Sequence, residues 1–472
     1  MQKKRLHINI AAFIGLLCCF GQSGMAQNVT LSVPISNIIG KSPFQQATVV
    51  GKYNGVLGLA QTINFKSLTP FTNGPNSIPL SAATLQITKV GTTLTLISNA
   101  PKLSLTSNDQ AYFSALITLN LVAGDVLVNF EVNTANRTFL PGTFSTQLDM
   151  YAPGLLGLGN IMAPTSTPIN LIIPAFTTPQ IIGNSSILVN DLNYFRSTGV
   201  NIDKITSLST TVPYQAKLKT ASPNFSFSTT ATYKNLPNTA VSAVTAKLKT
   251  STTTYAATPL SNTVQSLSGA VNIPVPTNNT ESQTYTFGIS ASDLKSNFLQ
   301  AGTYTTDLNY TWDKAATAPT YTSGGAPTPE TSKLEVIVSD MSELVVNQTA
   351  VSIDFNSAND YKNGVSKDML NHITLSKTTP YNLYIRASLP AFNNGPNTIP
   401  LNVMRIGPAT GQTGMNTVTL SNTAQLLIDN ADPVIDRNLS VQYSIPATET
   451  SKLLNKPTGS YSTDIIYSFV AP

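Results

Sequence analysis

The chain has 472 residues, of which only 10% are charged, against roughly 25% in an ordinary soluble domain. Lys and Arg number 27 and Asp and Glu 22, a balance that gives no basic surface of the kind that binds nucleic acid. Ser and Thr supply most of the polarity, and this composition favours strands joined by Pro, Gly and Asn turns over solvated helices. We therefore expect an all-β protein.

The first 26 residues have the pattern of a secretory signal peptide. Basic residues 3–5 precede an apolar run over residues 8–20, and the small residues Gly24 and Ala26 stand before a cleavage site at Gln27. The apolar run is about a dozen residues long, whereas roughly twenty are needed to span a bilayer. The sequence therefore predicts cleavage before Gln27 and no transmembrane segment.

Removal of this segment changes the charge and the cysteine content. The remaining chain has 24 basic and 22 acidic residues, because three basic residues lie in the signal. Both cysteines, Cys18 and Cys19, also lie there, so neither a disulfide nor thiol chemistry is expected in the mature chain. Acylation of either cysteine, as in a lipoprotein, is the alternative, but Leu17 and Cys18 stand where such sites usually have a small residue.

Internal similarity predicts three copies of one domain. The segments FTNGPNSIPL at 71–80 and FNNGPNTIPL at 392–401 share eight of ten residues. A second motif occurs three times, beginning at Gly142, Gly302 and Gly459. The repeated spacing of the two motifs indicates that the first and third copies have the same internal layout.

We place repeat 1 at 28–152, repeat 2 at 169–312 and repeat 3 at 333–472, each as an antiparallel β-sandwich. The linkers are 153–168 and 313–332, and the second is rich in Pro, Gly and Thr. Similar apolar segments, from Thr30, Asn170 and Leu334, are expected to open the three repeats.

The motif that begins at each of the three glycines is predicted to be the closing strand of its sandwich. Large residues and Thr alternate with polar residues, which is typical of a half-buried strand. Gln147, Asp307 and Asp464 are expected on the outward face. The residues expected to face inward are Phe144, Thr146, Leu148 and Met150; Tyr304, Thr306, Leu308, Tyr310 and Trp312; and Tyr461, Thr463, Ile465, Tyr467 and Phe469.

The N-G-P-N element shared by repeats 1 and 3 is predicted to be a tight turn. Asn-Gly tolerates a positive φ and Pro fixes the next φ, which favours a structural role over the alternative of a ligand-binding loop. Pro79 and Pro400 cannot donate a ladder hydrogen bond, so we expect edge strands or bulges there.

Residues suited to catalysis or metal binding are scarce. After signal removal one histidine remains, His372, which we expect at the surface or at a sheet edge, and no cluster of zinc ligands exists. Asp429, Asp432 and Asp436 form the densest acidic group, for which a solvated loop is expected and a calcium site is the alternative. No catalytic, cofactor or metal residue is assigned, and only a two-carboxylate glycosidase stays open.

The closing motif in AGTYTTDLNYTW, from Ala301, resembles the closing strand of secreted bacterial pilin-like β-sandwiches, of the fimbrial subunit and spore coat protein U kind. The resemblance implies immunoglobulin-like sandwiches exported to the cell surface, where subunits are joined by donated strands. This chain departs from those families because it has three domains and no disulfide in the predicted mature part.

These observations predict a secreted or cell-surface structural or adhesive protein, a fibre subunit or adhesin stalk, that is not an enzyme. Its partners are expected to be copies of itself or other surface proteins, bound through strand edges and loops, with no nucleic acid. The alternative is an extracellular carbohydrate-binding protein whose aromatic side chains stack on glycan rings. Trp312, the single tryptophan, does not favour this alternative because its position in the closing strand faces inward.

Overall fold

The computed structural model describes residues 28–54, 62–91, 100–114, 123–153 and 159–470. The predicted signal peptide with its cleavage site, both cysteines and part of the first linker lie outside these residues. The described residues form mainly antiparallel sheets that pack in pairs as successive β-sandwiches, which confirms the predicted all-β class. Among the described residues no helix is both long and apolar enough to cross a membrane.

The described residues of repeat 1 form twelve strands and the short helix α1 (Ile35–Ile39). One sheet has the order β1-β12-β10-β3-β8, with the β4–β5 hairpin beside β10, and the other has the order β11-β2-β9-β6-β7. Their facing side chains, alternate residues of each strand, form one apolar core. The strands are β1 (Val29–Ser32), β2 (Phe44–Tyr53), β3 (Thr62–Ser67), β4 (Phe71–Asn73), β5 (Asn76–Ile78), β6 (Ala83–Val90), β7 (Leu103–Ser104), β8 (Gln110–Ser114), β9 (Gly124–Val132), β10 (Gly142–Tyr151), β11 (Met162–Ala163) and β12 (Ser166–Ile173).

Repeat 2 repeats this plan with eleven strands and the helix α2 (Ala291–Asn297), which begins where the Ser290 side chain accepts a hydrogen bond from the Asp293 amide. Its sheets have the orders β13-β15-β21-β18-β19 and β14-β23-β22-β16-β20, with β17 beside β22. The strands are β13 (Thr177–Pro179), β14 (Ser185–Val189), β15 (Val200–Thr210), β16 (Tyr214–Thr220), β17 (Ser226–Ser228), β18 (Thr245–Lys249), β19 (Thr258–Pro259), β20 (Gln265–Ser266), β21 (Thr280–Ile289), β22 (Gly302–Lys314) and β23 (Glu330–Val338).

Repeat 3 has ten strands and the helix α3 (Ala358–Asn363), which starts with a capping box between Ser357 and Asp360. One sheet has the order β24-β25-β32-β29-β30, whereas the other contains only β31-β26-β33, and β27 and β28 form a hairpin. The strands are β24 (Ser342–Val346), β25 (Gly364–Lys377), β26 (Tyr381–Ala387), β27 (Ala391–Asn394), β28 (Asn397–Pro400), β29 (Arg405–Pro408), β30 (Val418–Thr419), β31 (Gln425–Ala431), β32 (Val434–Pro446) and β33 (Ile465–Val470).

The segments expected to open repeats 2 and 3 belong instead to the sandwiches that precede them. β12 pairs with β1 and β10 of repeat 1, and β23 pairs with β14 and β22 of repeat 2. This corrects the predicted role of both strands. Their apolar alternation predicts a strand but does not say which sheet the strand completes, because both candidate sheets offer an apolar face. The limits of the three repeats remain a prediction.

The N-G-P-N elements are tight hairpin turns, as predicted. Gly74 joins β4 to β5 and Gly395 joins β27 to β28, each with φ of 58°, a conformation that glycine adopts without steric cost. Pro79 directly follows β5 and Pro400 ends β28, and each of these strands has a single partner strand. Both prolines therefore lie where no ladder hydrogen bond is lost, at sheet edges.

A buried asparagine joins repeats 1 and 2. Asn279 of repeat 2 is fully buried, and its side-chain amide donates to the carbonyl oxygens of Phe139, at 2.8 Å, and Thr210, at 2.9 Å. Its side-chain oxygen accepts from the Phe139 amide at 2.8 Å. Because buried polar groups without partners are costly, the two bonds to Phe139, which cross the joint, fix it at one geometry.

An arginine joins repeats 2 and 3. Arg196 of repeat 2 contacts Asp436 of repeat 3 through a 2.8 Å Nη2–Oδ1 ion pair and also pairs with Glu343. The Arg196 guanidinium lowers the pKa of Asp436, chiefly through this hydrogen bond. Beside it, the Ala301 amide donates to the Thr378 carbonyl oxygen at 2.9 Å, so backbone also crosses the joint.

Candidate functional site

Repeat 1 shows how a strand from outside the sandwich completes its sheet. β12 runs parallel to β1 and antiparallel to β10, and it separates these two strands. Four of its side chains point into the core and are buried: Thr167, Ile169, Leu171 and Ile173. We call β10 and its counterparts β22 and β33 the closing strands, and β12 and its counterpart β23 the filling strands.

Repeat 2 is completed in the same way and in the same register. β23 lies between β14, to which it is parallel, and the closing strand β22, to which it is antiparallel. Its inward side chains, all buried, are Ser332, Leu334, Val336 and Val338. In both repeats the first buried residue of the inward face, which we call the first inward residue, carries a hydroxyl group, and the next three are aliphatic.

Repeat 3 has no filling strand among the described residues. Its closing strand β33 pairs with β26 on one side, and no strand of the described chain pairs with its other edge. The segment that corresponds to β1 and β14 is 351–355, which follows the same alternation but pairs with no strand. We call the space between 351–355 and the closing strand the open groove.

The inward residues of the closing-strand motif are less buried in repeat 3 than in repeats 1 and 2. Every inward residue of the motif is buried in repeats 1 and 2, from Phe144 to Trp312. In repeat 3 the equivalent residues are all partly exposed, and they are Tyr461, Thr463, Ile465, Tyr467 and Phe469. One sequence motif therefore has two degrees of burial, and the presence or absence of a filling strand distinguishes them.

Residues 351–355, the opposite wall of the open groove, are likewise less buried than their counterparts in β1 and β14. In repeat 1 Leu31 of β1 is fully buried, and in repeat 2 Ile187 of β14 is 1% exposed. Their counterpart Ile353, with Val351 and Phe355 on either side, is only partly buried against the core of repeat 3. The open groove is therefore lined by apolar side chains on both walls and bordered by the unpaired edge of β33.

A chain of polar groups lies at one end of the open groove. The Tyr467 hydroxyl of β33 is 2.7 Å from the Tyr443 hydroxyl, which lies 3.0 Å from Nε2 of His372. His372 is 3% exposed, so the predicted surface position was wrong; its ring packs in the core against Tyr443 and Tyr467. Periodicity alone did not reveal this burial, because the β25 backbone is irregular between Met369 and Ile373.

Burial sets the protonation states of these groups. Desolvation lowers the pKa of His372 and raises the pKa of Tyr443 to about 12. Burial also raises the pKa of Tyr467. All three groups are therefore neutral near pH 7, and Nδ1 of His372 is buried without a hydrogen-bond partner. This is a hydrogen-bonding network and not an acid–base pair of opposite charges.

The acidic residues singled out in the sequence are separated by their partners. Asp436 is engaged by Arg196, and Asp432 lies 3.8 Å from Lys234 of repeat 2. Asp429 is exposed at the surface. Among the described residues no three His, Cys, Asp or Glu side chains are grouped so as to hold a metal ion, and a calcium site at these aspartates is not proposed.

The predicted outward residues of the closing strands, Gln147, Asp307 and Asp464, are exposed. Beside Gln147, on the outer face of repeat 1, a surface cleft of about 430 Å³ is lined by Lys66, Asp109, Asp149 and Tyr151 among others. Tyr151 is 50% exposed, and Lys66 pairs with Asp109 at 3.5 Å. Sequence reasoning missed both this cleft and the open groove.

Solved structures that resemble this chain include bacterial fimbrial adhesins. The adhesive subunit CfaE of CFA/I fimbria of enterotoxigenic Escherichia coli is 10% identical, with a TM-score of 0.27, over 67% of this chain and 99% of that chain. A chain of the CsuC–CsuE chaperone–tip adhesion subunit complex of Acinetobacter baumannii is 14% identical, with a TM-score of 0.29, over 62% and 99%. The CupB6 tip adhesin of Pseudomonas aeruginosa is 11% identical, with a TM-score of 0.23, over 63% and 91%. No family model and no curated protein matches the sequence.

Proposed function

We propose that this protein is a non-catalytic subunit of a cell-surface fibre and that it is held in the fibre by a strand from another polypeptide. The open groove of repeat 3 carries this proposal. Two equivalent grooves in the same chain are filled by strands, and the third has the same walls with partly exposed apolar side chains. An unpaired strand edge beside an apolar groove is a surface that recruits a further strand.

The donor in this proposal is a different subunit and not a second copy of the chain. The two segments that have the filling pattern, β12 and β23, are already buried in repeats 1 and 2. β1 is also committed, because it pairs with β12 along its length. A second copy therefore offers no free strand of this pattern within the described residues.

The contacts between successive repeats are of the kind needed in a protein that extends from a surface or bears force. Asn279 fixes repeat 1 to repeat 2, and Arg196 ties repeat 2 to repeat 3. Only three residues connect each filling strand to the first strand of the next repeat, so the repeats can move apart only slightly before a strand is pulled from its sheet. A stalk or fibre element requires this kind of mechanical continuity.

The experiment compares two neighbouring substitutions in the wall of the open groove. Ile353→Asp places a charge on the apolar wall, whereas Ser352→Asp places the same charge on the exposed face. We expect immunogold labelling of producing cells to find the unmodified chain and the Ser352→Asp variant in surface fibres, and the Ile353→Asp variant to be missing from them. Equal incorporation of both variants, or an unmodified chain that is released as a monomer, would contradict the proposal.

Glycan binding is a second candidate function, and the cleft of repeat 1 favours it. Tyr151 presents an aromatic side chain beside two carboxylates, Asp109 and Asp149, which are groups that stack on and hydrogen-bond to sugar rings. A glycan array probed with the chain and with the Tyr151→Ala variant tests this candidate. Binding that the variant loses supports it, and an array without signal for the unmodified chain rejects it.

A further inference from the structure

We infer that the open groove selects a strand with a serine or threonine hydroxyl at its first inward position, opposite Ile465 and next to Tyr467. This inference rests on the proposed function, since it describes the partner that the groove would accept. It adds a hydrogen-bonding requirement to a groove whose other contacts are apolar.

The two filled grooves supply the first observation. In repeat 1 the first inward residue, Thr167, donates from its buried hydroxyl to the Val50 carbonyl oxygen at 2.9 Å. In repeat 2 the first inward residue, Ser332, lies opposite Leu308 and donates to the Tyr310 hydroxyl at 3.4 Å. In both filling strands the first buried residue of the inward face therefore carries a hydroxyl that is hydrogen-bonded.

The register transfers this position to repeat 3. Leu308 and Tyr310 of repeat 2 correspond to Ile465 and Tyr467 of the third closing strand, counted from the glycine that begins each motif. Tyr467 therefore has the position of the tyrosine that contacts Ser332. In repeat 3 this tyrosine is one end of the chain of polar groups that leads through Tyr443 to the buried His372.

Hydrogen-bond accounting shows that Tyr467 has capacity left for a partner. If Nε2 of His372 accepts, Tyr443 donates to it, Tyr467 donates to Tyr443, and the Tyr467 oxygen remains free to accept. If Nε2 donates, Tyr443 donates to Tyr467, and the Tyr467 O–H needs an acceptor. A serine or threonine hydroxyl satisfies either arrangement because it both donates and accepts.

An aliphatic residue at this position leaves a Tyr467 lone pair unused in the first arrangement and leaves the Tyr467 O–H without an acceptor in the second. A filling strand removes the polar end of the groove from water, so that Tyr467 would be buried with one hydrogen bond unmade. In the second arrangement this leaves a buried O–H without an acceptor, which costs about 1–3 kcal/mol and corresponds to a loss of affinity of about 5-fold to 150-fold. The groove therefore discriminates against strands that are aliphatic throughout.

The natural filling strand of repeat 2 provides the probe. A labelled peptide of residues 330–339 is titrated into the full chain, and fluorescence anisotropy gives its affinity. We expect the Ser332→Ala peptide to bind about tenfold more weakly, whereas the Lys333→Ala peptide, changed on the outward face, binds like the parent. The endogenous β23 is tethered at high effective concentration, so the free peptide does not displace it.

Two variants of the chain complete the design. Tyr467→Phe removes the hydroxyl and keeps the ring, and this chain should bind the parent and Ser332→Ala peptides within about twofold of each other. Ile353→Asp blocks the open groove and should abolish binding of every peptide, which locates the site. Hydrogen exchange of each variant verifies that repeat 3 stays folded.

The outcomes separate this inference from the proposed function. Peptides that bind the open groove with equal affinity, with or without the Ser332 hydroxyl, overturn the inference and leave strand acceptance standing. A hydroxyl preference that persists unchanged in the Tyr467→Phe chain also overturns it. Failure of all peptides to bind the unmodified chain overturns both the inference and the proposed function.

Discussion

Three equivalent positions in the closing-strand motifs, the third of them just before β33, allow the open groove to be tested within one molecule. Phe144, Tyr304 and Tyr461 hold the same place in the motif, two residues after its glycine. The first two are essentially inaccessible to solvent, and the third is partly exposed. Substitution of each by alanine removes a similar ring from two fully buried positions and from one that is partly exposed.

The expected cost follows from that burial. Removing a buried aromatic ring costs about 3–5 kcal/mol, so Phe144→Ala and Tyr304→Ala should destabilise repeats 1 and 2 by this amount. Filling strands cover both rings, through Leu171 and Val336 respectively. Tyr461 has no such neighbour among the described residues, so Tyr461→Ala should cost less than about 2 kcal/mol, since part of its apolar surface is already hydrated.

Hydrogen exchange followed by mass spectrometry measures each repeat separately within the intact chain. A loss of about 3 kcal/mol accelerates exchange of the affected closing strand by about 100-fold, which the method resolves readily. Tyr461→Ala should accelerate exchange in repeat 3 by less than about 30-fold. Equal effects at the three positions would refute the reasoning, because they would mean that the third closing strand is covered as fully as the others.

The remaining predictions concern polar contacts. Burial lowers the pKa of His372, so the imidazole takes up a proton more readily in the unfolded chain than in the folded one. Repeat 3 should therefore lose stability as the pH falls below about 6.5. Thermal unfolding at about pH 7.5 and about pH 5 should show this loss, and a His372→Gln variant with the same pH dependence would contradict it. Asn279→Ala should cost about 1–3 kcal/mol at the first joint and widen the distribution of shapes in small-angle scattering; an unchanged scattering profile would argue against a fixed joint. Arg196→Ala should lower the free energy of unfolding by less than about 1 kcal/mol, because the ion pair with Asp436 is partly exposed, and high salt should remove this difference. A loss of stability that does not depend on salt would indicate that packing, and not charge, is responsible.

The sequence was informative about strands and repeats because these are local patterns. Alternation predicted which residues of the closing strands face inward, including Trp312, and the Asn-Gly-Pro-Asn elements predicted hairpin turns at Gly74 and Gly395. These features depend on side-chain period and on turn stereochemistry, which a few adjacent residues determine.

The assignment of strands to sheets could not be predicted in the same way. β12 has the alternation of a strand that opens repeat 2, yet it completes repeat 1, and nothing in its eight residues distinguishes these roles. A signal was nevertheless present, since the segments V-T-L-S-V at 29–33, S-S-I-L-V at 185–189 and V-S-I-D-F at 351–355 each alternate inward apolar residues and precede a helix or helical turn. Aligning these segments leaves β12 and β23 as extra strands and repeat 3 without one.

The burial of His372 was also beyond sequence reasoning. A histidine beside a strand is ordinarily exposed, and its position here depends on an irregular stretch of β25 and on two tyrosines that are distant in sequence, Tyr443 and Tyr467. Contacts of this kind arise from tertiary packing. The same limit applies to Asn279, whose burial requires the meeting of two repeats.

Cross-linking in register tests strand acceptance by repeat 3 most directly. The chain from Gln27 onward has no cysteine, so Ser462→Cys introduces a single thiol at an exposed position of the third closing-strand motif, three residues before β33. In repeat 2 the equivalent residue, Thr305, lies opposite Glu335. A peptide of residues 330–339 with Glu335→Cys should therefore form a disulfide with this chain, whereas the same peptide carrying the cysteine at Lys333 should pair only with an Asp464→Cys chain. Cross-links in these two combinations alone are the predicted result, and no cross-link, or equal cross-linking in all four combinations, would contradict the account.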